Sequence, residues 1–252
     1  SYNITIPNNS LSVAAAGETK TLSLAYVDRT GTVSLTYQSC TGLPAGATVT
    51  ANSNGTFSVA FPSNTTNTTR SGTATIYYTN PLNSSQPVSA AFTYSQQPLP
   101  YNITIPNNSL SVAAAGETKT LSLAYVDRTG TVSLTYQSCS GLPAGATVTA
   151  NGNGTFSVTF PGNTANTALS GTVTLYYANP INSSQPVSAT FTYSQQPLPY
   201  DITIPNNSLT VAPSGETKTV TLAYTQRPGT VGLTFQSSSG VPDWCTLTPG
   251  SG

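Results

Sequence analysis

The chain has 252 residues, only 6% of them are charged, and its seven Lys and Arg balance seven Asp and Glu. A neutral surface lacks the positive charge that nucleic acids and anionic lipids attract, so we expect neither as a partner. The sequence has no histidine, which excludes Ser-His-Asp and Cys-His catalytic pairs and histidine metal sites. No stretch approaches the roughly 20 apolar residues of a membrane-spanning helix, so we expect no membrane insertion.

A repeat of 99 residues organises the chain. Its copies begin at Tyr2, Tyr101 and Tyr200, and the third copy is about half complete. The first two copies differ at about 12 positions, all of them between residues 41 and 91. The protein is therefore an array of near-identical units.

A unit of about 100 residues can bury its own hydrophobic core. The repeat therefore predicts separate domains at residues 1–100 and 101–199 and the N-terminal half of a third at residues 200–252. A half domain would expose its inner face and a sheet edge. We therefore expect the natural chain to continue beyond Gly252, or a neighbouring subunit to supply the missing strands. Because the sequence starts at Ser1 and contains no Met, we also expect a removed leader or an internal piece of a longer chain.

Apolar and polar residues alternate in short runs along the first copy, which is typical of strands with one buried face. The predicted strands are residues 3–7, 10–13, 19–26, 32–37, 47–51, 56–61, 73–79 and 88–94. Residues 28–31 and the Asn-Gly segment 52–55 are predicted hairpin turns. Seven to eight strands in about 100 residues predict an all-β fold of tandem immunoglobulin-like β-sandwich domains.

The segments between units, residues 95–100 and 194–199, have the same sequence, SQQPLP. Two prolines in three residues favour an extended polyproline II conformation and limit bending. We therefore expect the units to form a semi-rigid rod.

The three cysteines supply one thiol to each copy. Cys40 and Cys139 occupy the same repeat position, and Cys245 lies in the third copy. No disulfide can therefore form within a complete unit. We expect small, buried and inert thiols, and pairing between chains is the alternative.

The acidic residues offer no catalytic pair. Glu18 and Asp28 lie in separate predicted turns beside Lys20 and Arg29, which is typical of solvated turn charges. Nothing in the sequence indicates a glycosidase carboxylate pair, and segment 52–55 lacks the carboxylates of a calcium loop. We predict no catalytic, cofactor-binding or metal-binding residues.

Aromatic residues are the candidates for ligand binding. Tyr77 and Tyr78 are adjacent on a predicted strand, so one must face the core and the other the solvent. An outward tyrosine among polar neighbours could stack on a sugar ring, and packing across neighbouring strands is the alternative. These two tyrosines and Trp244 are weak candidate binding residues.

Two segments resemble a known domain family. Residues 54–78, NGTFSVAFPSNTTNTTRSGTATIYY, and residues 241–252, VPDWCTLTPGSG, together look like the BACON domain, an immunoglobulin-like module of Bacteroidetes surface proteins and their phages. The resemblance implies an extracellular setting and a glycan-binding or spacer role. The family tryptophan occurs here only as Trp244, and the family arginine only as Arg70. A binding site built on either residue would be missing from at least one complete unit.

Near-identical repeats, proline linkers and the absence of a titratable cluster together favour a structural role. We predict a non-enzymatic extracellular repeat protein that forms a semi-rigid stalk, fibre or adhesin shaft on a bacterial cell or phage virion. The alternative is a glycan-binding module that attaches the cell or virion to carbohydrate. A third hypothesis is an accessory part of an enzyme whose catalytic domain lies elsewhere. The expected partners are surface glycans and other subunits of a surface or virion assembly.

Overall fold

The computed structural model describes residues 1–250, and β-strands are the regular elements of that range. We call the three sequence copies unit 1, unit 2 and unit 3. Unit 1 contains β1 (Ile4–Thr5), β2 (Ser10–Val13), β3 (Glu18–Ser23), β4 (Ala25–Tyr26), β5 (Tyr37–Thr41), β6 (Thr48–Ala51), β7 (Thr56–Phe61), β8 (Arg70–Tyr78) and β9 (Val88–Gln96). Unit 2 contains β10 (Ile103–Thr104), β11 (Ser109–Val112), β12 (Glu117–Ser122), β13 (Ala124–Tyr125), β14 (Tyr136–Ser140), β15 (Thr147–Ala150), β16 (Thr155–Phe160), β17 (Leu169–Tyr177) and β18 (Val187–Gln195). Unit 3 contains β19 (Ile202–Thr203) and β20 (Ala223–Tyr224).

Each complete unit is a sandwich of two sheets. One sheet of unit 1 has the strand order β2-β9-β8-β5, in which β2 runs parallel to β9 and the other pairs are antiparallel. The other sheet has the order β3-β7-β6, and β1 pairs with β4, which continues β3 along the chain. Immunoglobulin domains place strands A, B, E and D in one sheet and C, F and G in the other. Each unit follows this arrangement, with β2 added to the second sheet beside β9. The prediction of tandem immunoglobulin-like β-sandwiches is confirmed.

The core lies between the inward faces of the two sheets. Strand β9 alternates strictly between buried and exposed residues over its nine positions, as expected for a strand with one buried and one solvent-exposed face. Phe57 from one sheet meets Phe92 from the other, with 5.7 Å between ring centroids, and both rings are fully buried. Burying each ring stabilises the unit by about 1.5–3 kcal/mol. Phe156 and Phe191 make the same contact in unit 2.

The predicted strand at residues 32–37 is wrong. Residues 32–36, all of which the structure describes, belong to no sheet, and β5 begins at Tyr37 and runs to Thr41. The segment instead crosses from the sheet that contains β4 to the sheet that contains β5. Val33 is nevertheless buried, because the crossing segment packs over the end of the core. The apolar alternation here indicates burial and not strand pairing.

The two predicted turns have different outcomes. Residues 52–55 do join an antiparallel hairpin, in which Ala51 pairs with Phe57 and the Asn52 N–H donates to the Thr56 carbonyl at 2.9 Å. Residues 28–31 do not join paired strands, because β4 pairs with β1. The predicted strand over residues 19–26 is also interrupted between β3 and β4, so each complete unit has nine short strands in place of seven to eight.

Unit 3 keeps little of this sandwich within the described residues. Its strands β19 and β20 pair as β1 and β4 do in unit 1. Apolar positions that are buried in the other units are open to solvent here: Ile202 is 47% exposed, whereas Ile4 is 7% exposed.

Candidate functional site

The three predicted ligand-binding residues lie in different environments. Tyr78 points into the core of unit 1 and is 3% exposed, whereas its neighbour Tyr77 is half-buried on the outer face of β8. Trp244 lies in unit 3 and is 81% exposed. Burial raises the pKa of Tyr78 to about 12, so this hydroxyl stays protonated at neutral pH.

The cysteines are less buried than expected. Cys40 and Cys139 are half-buried free thiols, and Cys245 is an exposed one. Cys40 and Cys139 lie on β5 and β14, which are the outer strands of their sheets, so neighbouring strands cover them on one side only. Burial still raises the pKa of the Cys40 thiol.

The acidic side chains bind neighbouring groups on the surface. Glu18 accepts a hydrogen bond from the Ala14 N–H and forms an ion pair with Lys20 at 3.0 Å, and both interactions lower the pKa of Glu18. Hydrogen bonds from the side chains of Ser1 and Asn3 lower the pKa of Asp28. Within residues 1–250, no three His, Cys, Asp or Glu side chains gather into a group that could hold a metal ion.

Linker leucines form the first part of each junction between units. Leu99 and Leu198 are buried although they lie between two prolines outside the strands. The Leu99 N–H donates to the Asn64 carbonyl at 2.8 Å, and the Leu198 N–H donates to Asn163 in the same way. The linker therefore packs against the unit that precedes it.

An arginine from the following unit closes the junction. The Arg128 guanidinium of unit 2 donates to the carbonyls of Pro100 at 3.2 Å and Thr65 at 3.2 Å, and also to the carbonyl of Leu99. The same guanidinium lies 3.7 Å from the centroid of the Tyr101 ring. A stacked and hydrogen-bonded guanidinium is held more rigidly than a lysine ammonium would be. We call Leu99, Tyr101 and Arg128 the first junction clamp.

The second junction clamp consists of Leu198, Tyr200 and Arg227. Arg227 donates to the carbonyls of Leu198 at 3.0 Å and Thr164 at 2.9 Å, and its guanidinium lies 3.8 Å from the centroid of the Tyr200 ring. Side-chain differences between the units do not disturb these bonds, because the acceptors are backbone carbonyls. Two successive junctions are thus held by the same contacts.

A buried polar cluster supports the surface on which the first clamp rests. The side-chain amide of Gln96 donates to the carbonyls of Ala14 at 2.9 Å and Pro62 at 2.8 Å, and Gln96 is fully buried. The side-chain amide of Asn64 donates to the carbonyls of Thr68 at 2.9 Å and Gln96 at 3.1 Å. We call Gln96 and Asn64 the polar plug. Gln195 and Asn163 repeat it in unit 2.

A groove of about 470 Å³ opens at the first junction. It is lined by residues of both units, among them Thr65, Leu99, Tyr125, Asp127 and Arg128. Its polar groups are already engaged: Asn102 donates to Asp127 at 2.7 Å, and the Ser133 N–H donates to the Tyr125 hydroxyl at 3.3 Å. The arrangement fixes one unit against the next and offers no set of groups for catalysis within the described residues.

Sequence reasoning predicts neither the clamp nor the plug. The turn position of Arg29 indicates a solvated charge, although the same arginine recurs as Arg128 and Arg227. It is retained in unit 3 while the residues on either side change to Gln226 and Pro228. That retention is the signal from which the clamp could have been found.

Comparisons with known proteins identify no family. No family model matches the chain, and no curated protein matches it either. The BACON resemblance therefore rests on the quoted residues alone. Across the part of the chain that the structure describes, no helix is long and apolar enough to span a membrane.

Solved structures of tandem β domains are weakly similar. Mouse cadherin-23 repeats EC22-24 are 15% identical, with a TM-score of 0.33, over 78% of this chain and 64% of theirs. The titin tandem I9-I11 is 8% identical, with a TM-score of 0.27, over 76% of this chain and 66% of its own. An endo-fucoidan hydrolase from glycoside hydrolase family 107 is 15% identical, with a TM-score of 0.31, and this chain spans only 29% of it. At these values, none of them carries an argument about function.

Proposed function

We propose that this chain is part of an extracellular, non-enzymatic structural protein whose units form a semi-rigid stalk, fibre or adhesin shaft on a cell or virion surface. The observation that carries the proposal is the junction clamp, which recurs with the same contacts at both junctions. A shaft needs each unit to meet the next in one fixed orientation. Repetition of that orientation then extends the chain regularly.

The physical basis of the proposed stiffness is the number of independent contacts at each junction. A buried leucine, an arginine with several carbonyl acceptors and a tyrosine hydroxyl bonded to Asn67 at 2.8 Å all resist bending at the first junction. The flanking prolines further reduce the conformations open to the linker. Because the acceptors are neutral carbonyls, the junction depends little on pH and salt.

Loss of the arginine is expected to loosen the first junction. In Arg128→Ala, spin labels on Ser84→Cys and Ser183→Cys, with the native cysteines changed to serine, should show a distance distribution about twice as broad as in the parent protein. Both label positions are exposed and occupy the same place in units 1 and 2. Double electron–electron resonance measures this distribution directly.

Arg29→Ala is the matched control, because Arg29 occupies the same position in unit 1 and donates to the Ser1 carbonyl, outside the junction. It should leave the distance distribution unchanged. A distribution that is already broad in the parent protein would contradict the proposed shaft.

Glycan binding is the second candidate function, and the outer face of β8 favours it. Tyr77 pairs with Ser39 on one side and Ser89 on the other, so small hydroxyl-bearing residues flank its ring. Tyr176 has serine neighbours at the same register in unit 2. An accessible ring between hydroxyl groups suits stacking against a sugar.

The double substitution Tyr77→Ser and Tyr176→Ser is expected to abolish any glycan-array signal of the chain while leaving its thermal unfolding unchanged. Tyr94→Phe, which alters a tyrosine at the other end of the unit, is the control. Absence of glycan binding by the parent protein, or full binding by the double variant, would count against this second function.

A further inference from the structure

Strands β2 and β9 lie near the two ends of the chain of unit 1 and run parallel to each other. Ser10 pairs with Thr93 and Val13 pairs with Gln96, so the end of β2 lies beside the end of β9. The chain enters β2 at Ser10 and leaves β9 at Gln96 toward the linker. The two points of attachment therefore lie at opposite ends of one ladder of hydrogen bonds. Strands β11 and β18 repeat this arrangement in unit 2.

The parallel pairing decides how a pulling force acts on the unit. A force that separates the two ends of the unit pulls β2 toward its first residue and β9 toward its last residue, which are opposite directions along the ladder. The hydrogen bonds of the ladder are then strained together, because one strand can slide past the other only when all of them break. In an antiparallel pair both attachments would lie at the same end, and the bonds would break one after another. The parallel ladder therefore resists the larger force.

Further hydrogen bonds reinforce both ends of this ladder. At its start, the N–H and the hydroxyl of Thr93 both donate to the Asn9 carbonyl, at 2.7 and 3.3 Å. At its end, the side-chain amide of Gln96 donates at 2.9 Å to the carbonyl of Ala14, the residue that follows β2. Because Gln96 is fully buried, water cannot readily replace this bond. The same bonds recur at the same distances in unit 2, between Thr192 and Asn108 and between Gln195 and Ala113.

The short strand β1 precedes this ladder on the path of the force. It is paired with β4 through two residue pairs only, Ile4 with Tyr26 and Thr5 with Ala25. We therefore expect β1 to detach first under tension, after which the force acts on β2 directly. The ladder between β2 and β9 is then the contact that must break before the core is exposed.

We propose that each complete unit bears tension along the chain, and that the β2–β9 and β11–β18 ladders are the elements that resist it. Tension of this kind arises wherever the two ends of a chain are attached to separate bodies. A stiff shaft does not have to resist pulling, so this function goes beyond the proposed one. It does not depend on the junction clamps, because the resisting contacts lie within each unit.

Single-molecule force spectroscopy of the full chain, held by handles at its two ends, tests the proposal. Each complete unit should unfold in one abrupt event that releases roughly 300 Å of chain, since about 90 residues lie between the start of β2 and the end of β9. Among residues 200–250 the strands are β19 and β20, which include no such ladder, so two abrupt events are expected in each molecule. Gradual extension without abrupt events overturns the proposal.

Proline substitutions in both units test whether the ladder sets the unfolding force. The parallel register turns the Leu11 N–H toward β9 and the Ser12 N–H away from it. Leu11→Pro together with Leu110→Pro removes one bond from each ladder and should lower the unfolding force by roughly a quarter to a half. Ser12→Pro together with Ser111→Pro is the matched control and should keep the parent force, because an edge strand tolerates a proline on its solvent side.

A core substitution separates mechanical resistance from stability. Val59→Ala together with Val158→Ala removes fully buried side-chain atoms from β7 and β16, outside the ladders. It should lower the melting temperature and leave the unfolding force nearly unchanged. An unfolding force that falls as far in this variant as in Leu11→Pro with Leu110→Pro overturns the proposal. A parent-level force in the Leu11 and Leu110 variant also overturns it.

Discussion

Replacing Gln96 with alanine is expected to destabilise unit 1 by about 3 kcal/mol and to leave unit 2 folded. The Gln96 side chain is the donor to the carbonyls of Ala14 and Pro62, which it reaches at 2.9 and 2.8 Å. Without it, the Pro62 carbonyl loses its donor, which costs about 1–3 kcal/mol, whereas the Ala14 carbonyl still accepts from the Gly17 N–H at 3.0 Å. The cavity left by the side chain adds to this loss.

Hydrogen exchange followed by mass spectrometry can assign the effect to one unit, because peptides of units 1 and 2 that span their sequence differences have distinct masses. Protection in β7 and β8 should fall in Gln96→Ala while β16 and β17 keep theirs. Gln97→Ala is the matched control, since Gln97 is exposed and its side chain accepts a bond from the Thr69 hydroxyl at 3.1 Å on the surface. Equal protection in the two variants would show that the polar plug does not stabilise the unit.

The effect should extend to the first junction. The Asn64 carbonyl accepts a hydrogen bond from the Leu99 N–H, and the Asn64 side-chain amide donates to the Gln96 carbonyl. Thr65, which follows Asn64, supplies a carbonyl to Arg128. The clamp of one unit therefore rests on the folded core of the unit before it. This dependence couples the stability of neighbouring units along the chain.

Alternation in the sequence predicted the sandwich well where strands have one buried face. Phe57, Val59 and Phe61 all point inward, as their spacing of two indicates. The same alternation failed at residues 32–37, because a segment that crosses between sheets can also bury alternate side chains. Hydrogen-bond partners, which distinguish the two cases, leave no periodic signature in a sequence.

The junction clamp was hidden for a related reason. Arg128 donates to backbone carbonyls, which every residue has. The sequence of the loop that contains Thr65 therefore needs no particular motif to bind it. Gln96 and Asn64 are similarly ordinary polar residues, and the chain is rich in Asn. Only comparison among the copies, where Arg29 recurs as Arg128 and Arg227, indicates a role that a single unit would not reveal.

Gly42→Ala is expected to destabilise unit 1 by about 3–5 kcal/mol, through a backbone clash added to an unfavourable conformation. Gly42 has a φ of 79°, and a Cβ placed on it would lie 2.2 Å from the Thr73 carbonyl oxygen. Strand β8 cannot easily move away from Gly42, because Thr73 in β8 pairs with Thr93 in β9. In addition, the Tyr94 hydroxyl donates to the Gly42 carbonyl at 3.2 Å.

The matched control separates the two causes. Gly31 has a φ of 95°, but no described atom lies within 4 Å of the position that a Cβ would take there. Gly31→Ala therefore meets only the cost of the left-handed conformation, about 1–2 kcal/mol. Hydrogen exchange protection in β8 should fall far more in Gly42→Ala than in Gly31→Ala. Equal losses would mean that the loop at residues 42–46 can move away from β8. In that case the close approach of the loop to Thr73 would not be required for the sandwich to form.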